Sequence, residues 1–569
     1  MFVTILAFYA LCAVRLNPGI WELLAGANGR LAKIVLFLFI AQLNVFWLFG
    51  SYYLMLGVFT VIDRWLRPPP PEPLLDGPSI AILYVTMNDF QTAAALSCVR
   101  QNYARFRVFI LDDSVDAKWH ATIDAFAAGH AEKVTVIRRP NRDGYKAGSI
   151  NSALRSHVHG FEFFVVADAD SVLPSDFVSG LLPYFQLGDD IGWVQGSHAP
   201  NKVQKTAFAR DLALGILPLW EVYYGPRNRF GTVIFLGHGG MIRYDVWAQA
   251  GGFPEIVSED LAFSTRAAQL GYRGCFAHEV VSYEDFPAGY RQLRRQQAKY
   301  VKGVCEYLHR EYLPFLRSRN VRWFEKLDVL LSCGSLLMQP VVLTFMFVFC
   351  VLTPLLFGVW QPLTLSLFGH DVATVPVVFL GAAFNKLWTW EYYLVTVICT
   401  FAPVLGCLGV IARQPRLGTR TFLVSAIPYL SMLVLSMATI ASYLVSRRAV
   451  FLVTGDDRGV DPKTFPVGFS PTAGVAERLG AEDRLTNAVE FALGVLFTLV
   501  CALTFNVSLL AFAISLLLGP VLLRARWESR SLRPWLFLPY VLIVGGVLLG
   551  GVNIAAAQGA TMSVFFFHF

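Results

Sequence analysis

Apolar runs of membrane-spanning length occupy both ends of this chain and enclose a charged stretch. A spanning helix needs about 20 mostly apolar residues, and segments 34–62, 328–357, 390–411, 487–505, 508–523 and 534–555 are the candidates. Residues 1–14 are apolar but shorter, without a basic start or a small-residue cleavage site, and are read as an uncleaved first helix rather than a signal peptide. Only 15% of the chain is charged, against about 25% in soluble domains. Disorder, a coiled coil and a conventional soluble enzyme are therefore excluded. Most of the 40 Asp and Glu residues lie between positions 65 and 327, a stretch long enough for one or two folded domains.

The net charge of +7 is read as topology, not nucleic-acid affinity, because basic residues sit beside the apolar runs: Arg64 and Arg67; Arg413, Arg416 and Arg420; Arg447 and Arg448; Arg524, Arg526 and Arg530. No nucleic-acid partner is expected. The nine cysteines form no CxxC pair, so neither a zinc site nor a disulfide framework is predicted. No internal repeat or low-complexity tract appears.

Residues 68–71 and 73 are prolines, a stiff spacer before the charged insert. Within the insert, Ser79–Thr86, Val108–Asp112, Val134–Arg138, Phe163–Asp168 and Trp193–Ser197 read as strands, with helical patterns at 91–102 and 117–129. Alternation of this kind predicts a doubly wound α/β sheet, whose ligands bind beyond the carboxyl ends of the strands.

Four polar clusters fall at such places. Asp112-Asp113 closes the second strand, and Asp168-Ala169-Asp170 closes the fourth. Hard divalent cations on nucleotide phosphates want oxygen ligands like these, although a lone DxD is more often a solvated loop. Lys146-Ala147-Gly148-Ser149-Ile150-Asn151 offers phosphate neutralisation and close backbone approach, or simply a helix start. Glu259-Asp260 could take a proton from a substrate hydroxyl, or cap a helix beginning near Leu261.

In order, these clusters resemble the D, DxD, TED and Q-x-x-R-W pattern of processive family-2 glycosyltransferases, above all the bacterial cellulose synthase catalytic subunit and its cellulose-synthase-like relatives. The fourth motif appears as Gln296-Gln297-Ala298-Lys299-Tyr300, with Lys and Tyr where that family has Arg and Trp. Thr86-Met87-Asn88-Asp89 is similar to the nucleotide-binding T-Y-N-E stretch, and Phe451-Leu452-Val453-Thr454 to the F-x-V-T gating loop. Phe235-Leu236-Gly237-His238-Gly239-Gly240 replaces a Cys-Gly-Ser sequence that borders the acceptor.

The resemblance implies an α/β GT-A domain inserted in a multi-span membrane protein with about seven transmembrane helices plus interface helices. The chain divides into N-terminal helices (1–64), linker (65–77), cytosolic catalytic domain (78–303), interface and channel helices (304–450), gating loop and connector (451–486) and C-terminal helices (487–569). It also implies roles. Asp113 would contact the uridine of a UDP-sugar, with Asp112, Lys146, Thr86 and Asp89 near the nucleotide and Thr454 closing over it. Asp168 and Asp170 would hold Mg²⁺ or Mn²⁺, Asp260 would be the base with Glu259 beside it, and Gln296, Lys299 and Tyr300 would line the acceptor end.

The implied activity is polymerisation of a β-glucan or related β-glycan, with UDP-glucose as donor. The growing polysaccharide is the acceptor, and membrane lipid and accessory export or periplasmic subunits are its possible company. Lys299 and Tyr300 leave room for another sugar or linkage. The alternative is a non-processive enzyme that adds one sugar to a lipid carrier; a transporter is disfavoured because the spans carry almost no charge.

Because UDP-sugars are cytosolic, parity of crossings places the insert and gating loop inside the cell membrane. Segment 422–446 is then expected along the interface instead of across the bilayer, and amphipathic 304–326 as a second interface helix. After 455 nothing resembles a PilZ domain, so regulation by cyclic di-GMP is not predicted.

Overall fold

A computed structural model describes residues 1–367, 370–380, 389–411, 428–429, 432–447, 473–504, 507–524 and 538–557. The chain forms two compact units: Met1–Val58, Leu337–Ala438 and Asp483–Phe569 in one, Phe59–Leu336 and Thr439–Glu482 in the other.

The apolar unit is helical. Among the described residues, five helices are long and apolar enough to cross a membrane: Phe2–Gly26, Arg30–Leu66, Trp323–Phe357, Trp390–Ile411 and Arg484–Thr504. The predicted runs 508–523 and 534–555 fall on helices Val507–Arg524 and Leu538–Ala557. The first helix runs well past residue 14, with Pro18 inside it. A feature that the sequence reading missed joins Phe357 to Trp390: an antiparallel hairpin pairing Gly358–Leu367 with His370–Leu380.

The second unit is built on a seven-stranded sheet. Its strands are β1 (Ile80–Thr86), β2 (Phe106–Asp112), β3 (Val134–Ile137), β4 (Phe163–Asp168), β5 (Ile191–Pro200), β6 (Gly240–Arg243) and β7 (Arg273–Glu284). Their order is β3-β2-β1-β4-β6-β5-β7. Strands buried on both faces read as continuous apolar runs, and that is how β1, β2 and β4 appear. Ile80, Ile82, Tyr84, Ile110 and Val165 enter one core, while Ala81, Leu83, Phe109, Leu111 and Phe164 enter another.

The expectation of a purely doubly wound sheet is corrected: β6 runs antiparallel to both β4 and β5. Four residues between glycine turns carry too little periodicity to signal a strand. Segment 304–326 is also corrected. It is not one amphipathic helix but the end of Tyr290–Arg310, a short helix Tyr312–Arg317, and the start of Trp323–Phe347. Pro314 explains the first break, since its ring clashes with the carbonyl four residues earlier, that of Arg310. Of segment 422–446, the described part is helical over Leu433–Ser446. The gating-loop residues Phe451–Thr454 lie outside the described residues.

Register fixes the edge where the polar clusters meet. Thr86 pairs with Asp112, and Val85 with Asp168, at the carboxyl ends of three parallel strands. The chain runs outward from β1 through β2 to β3 and returns to β4 on β1's other side. That reversal is the topological switch point, where α/β sheets bind ligands.

Candidate active site

Asp168 ends β4 and its carboxylate contacts Lys146 Nζ. Burial opposes ionisation of both groups. Their mutual attraction outweighs it, holding Asp168 below and Lys146 above its usual range. Lys146 is placed by the helix Tyr145–Ser156, entered through Gly144 in the left-handed region. A Cβ on Gly148 would lie 1.9 Å from the Asp143 carbonyl oxygen, so this helix start admits only glycine there. Asn151 anchors the same helix: its amide donates to Phe253 O at 2.8 Å, and its oxygen accepts from Phe253 N at 2.9 Å and from Trp247 Nε1 at 3.2 Å.

That anchor leads directly to Glu259 and Asp260, in the first turn of the helix Glu259–Gln269. Asp260 Oδ1 accepts from Leu261 N at 2.7 Å, a backbone role at the helix start that uses one of its two oxygens. Gly237 (φ +84°) passes between: a Cβ there would lie 3.3 Å from Asp260 Oδ2 and 3.8 Å from Lys146 Nζ. Burial raises both carboxyls of the pair, Glu259 to about 7, where the neighbouring Asp260 charge adds to the effect. Lys299 is drawn down by burial against the pull of Glu259, Asp168 and Asp260. Asp170 is pushed up to about 7 by burial and by the Asp168, Glu284 and Asp285 charges, with His238 opposing.

The sheet edge therefore gathers Lys146, Asp168, Asp170, Glu259, Asp260 and Lys299 as one charge cluster. Other predicted residues have different surroundings. Asp112, fully buried, accepts from Arg138 Nε at 2.7 Å and Ser114 N at 3.0 Å. Asp113 is gripped at both oxygens by Arg139, at 2.9 and 2.6 Å, and Arg139 also binds the carbonyls of Asp143 and Tyr145. Thr86 Oγ1 and Met87 N both donate to Asp89 Oδ1, at 2.9 and 2.7 Å, and burial raises Asp89 to about 6. Gln296, Lys299 and Tyr300 share one face of the helix Tyr290–Arg310. Gln296 is half-buried, whereas Tyr300 is 44% exposed. Thr454 lies outside the described residues.

Sequence reasoning missed Arg138 and Arg139, which follow β3 and partner the aspartate pair, and the group His198, His238 and Glu284. His238 Nδ1 lies 3.2 Å from Ser171 Oγ, which accepts from Asp168 N at 3.1 Å. Burial pulls His238 down, but Asp168 and Glu284 outweigh it and raise it. Glu284 in turn is lowered: burial acts against ionisation, and the two histidines prevail. The residues are scattered over 86 positions in sequence, and no spacing could have joined them.

A buried carboxylate pair beside a lysine–carboxylate contact, at the switch point of an α/β sheet, is the equipment of a group-transfer enzyme that handles phosphate. Comparison with known proteins makes the class specific. Residues 163–454, just over half of the chain, match the family described as glycosyl transferase family group 2, and the chain belongs to that family. It is a glycosyltransferase, and the resemblance read from the motifs holds at that level.

Over 264 residues the chain is 27% identical to glucomannan 4-beta-mannosyltransferase 2 of Arabidopsis thaliana, covering 44% of this chain and 48% of that protein. Over 374 residues it is 26% identical to glucans biosynthesis glucosyltransferase H of Rhodopseudomonas palustris (strain TIE-1), covering 59% and 50%. The chain spans about half the length of the curated relatives it matches. Among solved structures, the mannosyltransferase PcManGT from Pyrobaculum calidifontis, in complex with GDP-Man and Mn²⁺, aligns with 72% of this chain and 99% of that one at TM-score 0.44 and 17% identity.

Proposed function

We propose that this protein is a processive, inverting glycosyltransferase that builds a β-glucan or related β-glycan from a UDP-sugar, with UDP-glucose as first donor, and threads the product through its own membrane helices. The observation that carries this reading is Asp260, held beside Lys146 across Gly237, with Lys146 in contact with Asp168. A base for the acceptor hydroxyl and a cation for the leaving diphosphate are thus one glycine apart. Asp260 takes the proton as the acceptor oxygen attacks the anomeric carbon, the bond to the diphosphate breaks, and an α-linked donor gives a β-linked product.

Lys146 and Lys299 stabilise charge developing on the diphosphate. Asp113, Asp112, Thr86 and Asp89 form the nucleotide end, and Gln296 and Tyr300 belong to the acceptor end. Thr454, by the family resemblance, closes over the nucleotide. Asp168 and Asp170 fit a divalent ion, Mg²⁺ or Mn²⁺: half-buried Asp170 is crowded by the Asp168, Glu284 and Asp285 charges, and hard ions take such oxygen donors. When bound, that ion neutralises phosphate charge.

The names of the relatives split between mannosyl and glucosyl transfer, so the donor is tested as a panel. Purified full-length protein is incubated with UDP-glucose, other UDP-sugars and GDP-mannose, each with Mg²⁺ or Mn²⁺. Polymer from a UDP-sugar supports the reading; single additions to lipid, or transfer from GDP-mannose alone, replace it with those activities. No transfer from any donor overturns it.

A further inference from the structure

Behind the Asp168–Asp170 turn, three side chains from β5, the loop before β6 and the end of β7 converge. Glu284 Oε2 lies 3.2 Å from His238 Nε2 and Glu284 Oε1 lies 3.6 Å from His198 Nδ1. One ligand-type atom from each of the three residues lies within 4.8 Å of the others. His198 is buried to 3% side-chain exposure, and the two imidazoles stack at 4.4 Å between centroids.

The polar atoms around His198 are closely packed. Gln195 Oε1 accepts from Leu236 N at 2.8 Å, which fixes the orientation of the amide. Its Nε2 then carries two hydrogens and faces the carbonyls of Gly196, His238 and Gly239, each at 3.0 Å. His198 Nε2 faces the His238 carbonyl at 3.2 Å. Gln195 Nε2 also lies 3.2 Å from His198 Nε2, and the Gly239 carbonyl already accepts from Gly196 N at 2.9 Å. His198 Nδ1 faces a Glu284 carboxylate oxygen at 3.6 Å, which is too far for a hydrogen bond. An imidazole nitrogen and a carboxylate oxygen at this separation leave room for a cation that binds both.

We propose that His198, His238 and Glu284 form a second cation site, selective for a borderline transition ion of the zinc class and separate from the Asp168–Asp170 pair. Two imidazoles and one carboxylate, with a fourth position open, suit Zn²⁺ chemistry, whereas Mg²⁺ prefers an all-oxygen shell. With bonds of about 2.1 Å, ligand atoms around a tetrahedral ion stand roughly 3.4 Å apart; His238 Nε2 and His198 Nδ1 lie 3.2 and 3.6 Å from the two oxygens of Glu284. The outer shell is in place as well: His238 Nδ1 faces Ser171 Oγ and His198 Nε2 faces a carbonyl, the contacts that orient ligating histidines. Gly239, at φ +63°, packs its backbone against the outer edge of the His198 ring, where a Cβ would lie 2.8 Å from His198 Nε2. An ion here would pin three elements of the sheet edge and, through Ser171, steady the backbone of Asp168. The site needs only these three side chains and stands independently of the donor and product proposed above.

The test uses full-length protein in detergent, stripped with chelator and titrated with Co²⁺ in a roughly hundredfold excess of Mg²⁺. One equivalent of Co²⁺, showing the visible bands of a nitrogen-ligated ion and displaced by Zn²⁺, is expected. Glu284→Gln and His238→Gln should each weaken binding by at least about tenfold, while Asp170→Asn keeps it. Absence of stoichiometric Co²⁺ binding in the wild type overturns the proposal whatever the variants do. So does loss of binding in Asp170→Asn with retention in Glu284→Gln, which would assign the ion to the aspartate pair.

Discussion

At the residue scale, the chemistry depends on how one carboxylate is kept ready. Asp260→Asn should lower transfer by about 10²–10⁴-fold, the range for a positioned base, while donor binding, followed by calorimetry with UDP, stays near wild type. Equal loss of binding and turnover would assign Asp260 to donor binding instead. Lys299 has a signed effect on the same carboxylate. Its positive charge favours ionised Asp260 against the burial that raises it. Removing that charge in Lys299→Met must make Asp260 harder to ionise, so the acidic limb of the kcat/KM profile moves to higher pH, and Lys299→Arg should restore it. The acidic residues at the strand ends were legible because β1, β2 and β4 are unmistakable apolar runs that stop at them. Their cationic partners were not: Arg138 and Arg139 belong with Asp112 and Asp113 only after β2 and β3 pair.

At the scale of elements, those arginines hold together the end of the site proposed to take the nucleotide. Arg139 and Asp113 are both more than nine-tenths buried as side chains, and Arg139 also holds the carbonyls of the turn that introduces Lys146. Arg139→Met strands the Asp113 charge, which typically costs about 3–5 kcal/mol. A lower midpoint of thermal unfolding should be seen, with weaker UDP binding because the Lys146 turn loses its tie; an unchanged midpoint would show that water reaches Asp113. Arg227 and Asp328 make a comparable pair, at 2% and 1% side-chain exposure, and it joins the short helix Arg227–Phe230 to the helix beginning at Trp323. Elements with a strong local period, such as the helices at Thr92–Val99 and Ala117–Ala128, were legible in outline. β6 was not, because four residues gain strand character only from β4 and β5 on either side. The hairpin after Phe357 was not legible because its first strand continues without a break from the apolar helix that ends at Phe357.

At the scale of the whole molecule, the few charges of the apolar segments and the dense charges of the insert imply opposite solvents, and sidedness follows from where the substrate is made. Under the proposed function the donor is cytosolic, which predicts the sheet unit inside, the run from Trp323 to Phe357 leading outward and Trp390–Ile411 leading back. The hairpin between them then faces the exterior. Native cysteines make this measurable: all nine are free, eight are buried and Cys305 is half-buried, so an impermeant maleimide should find little background in intact cells. Thr364→Cys, exposed on the hairpin, should react before lysis, and Glu132→Cys, exposed on the sheet unit, only after it. The reverse pattern would put the carboxylate cluster on the side without donor and remove the physical basis for the proposed activity. Reaction at both positions in intact cells would mean that the apolar segments do not separate the two compartments. Only the expected pattern leaves a polymer made at Asp260 needing a route across the bilayer, and that need is what links the charge-poor helices to the charged sheet edge.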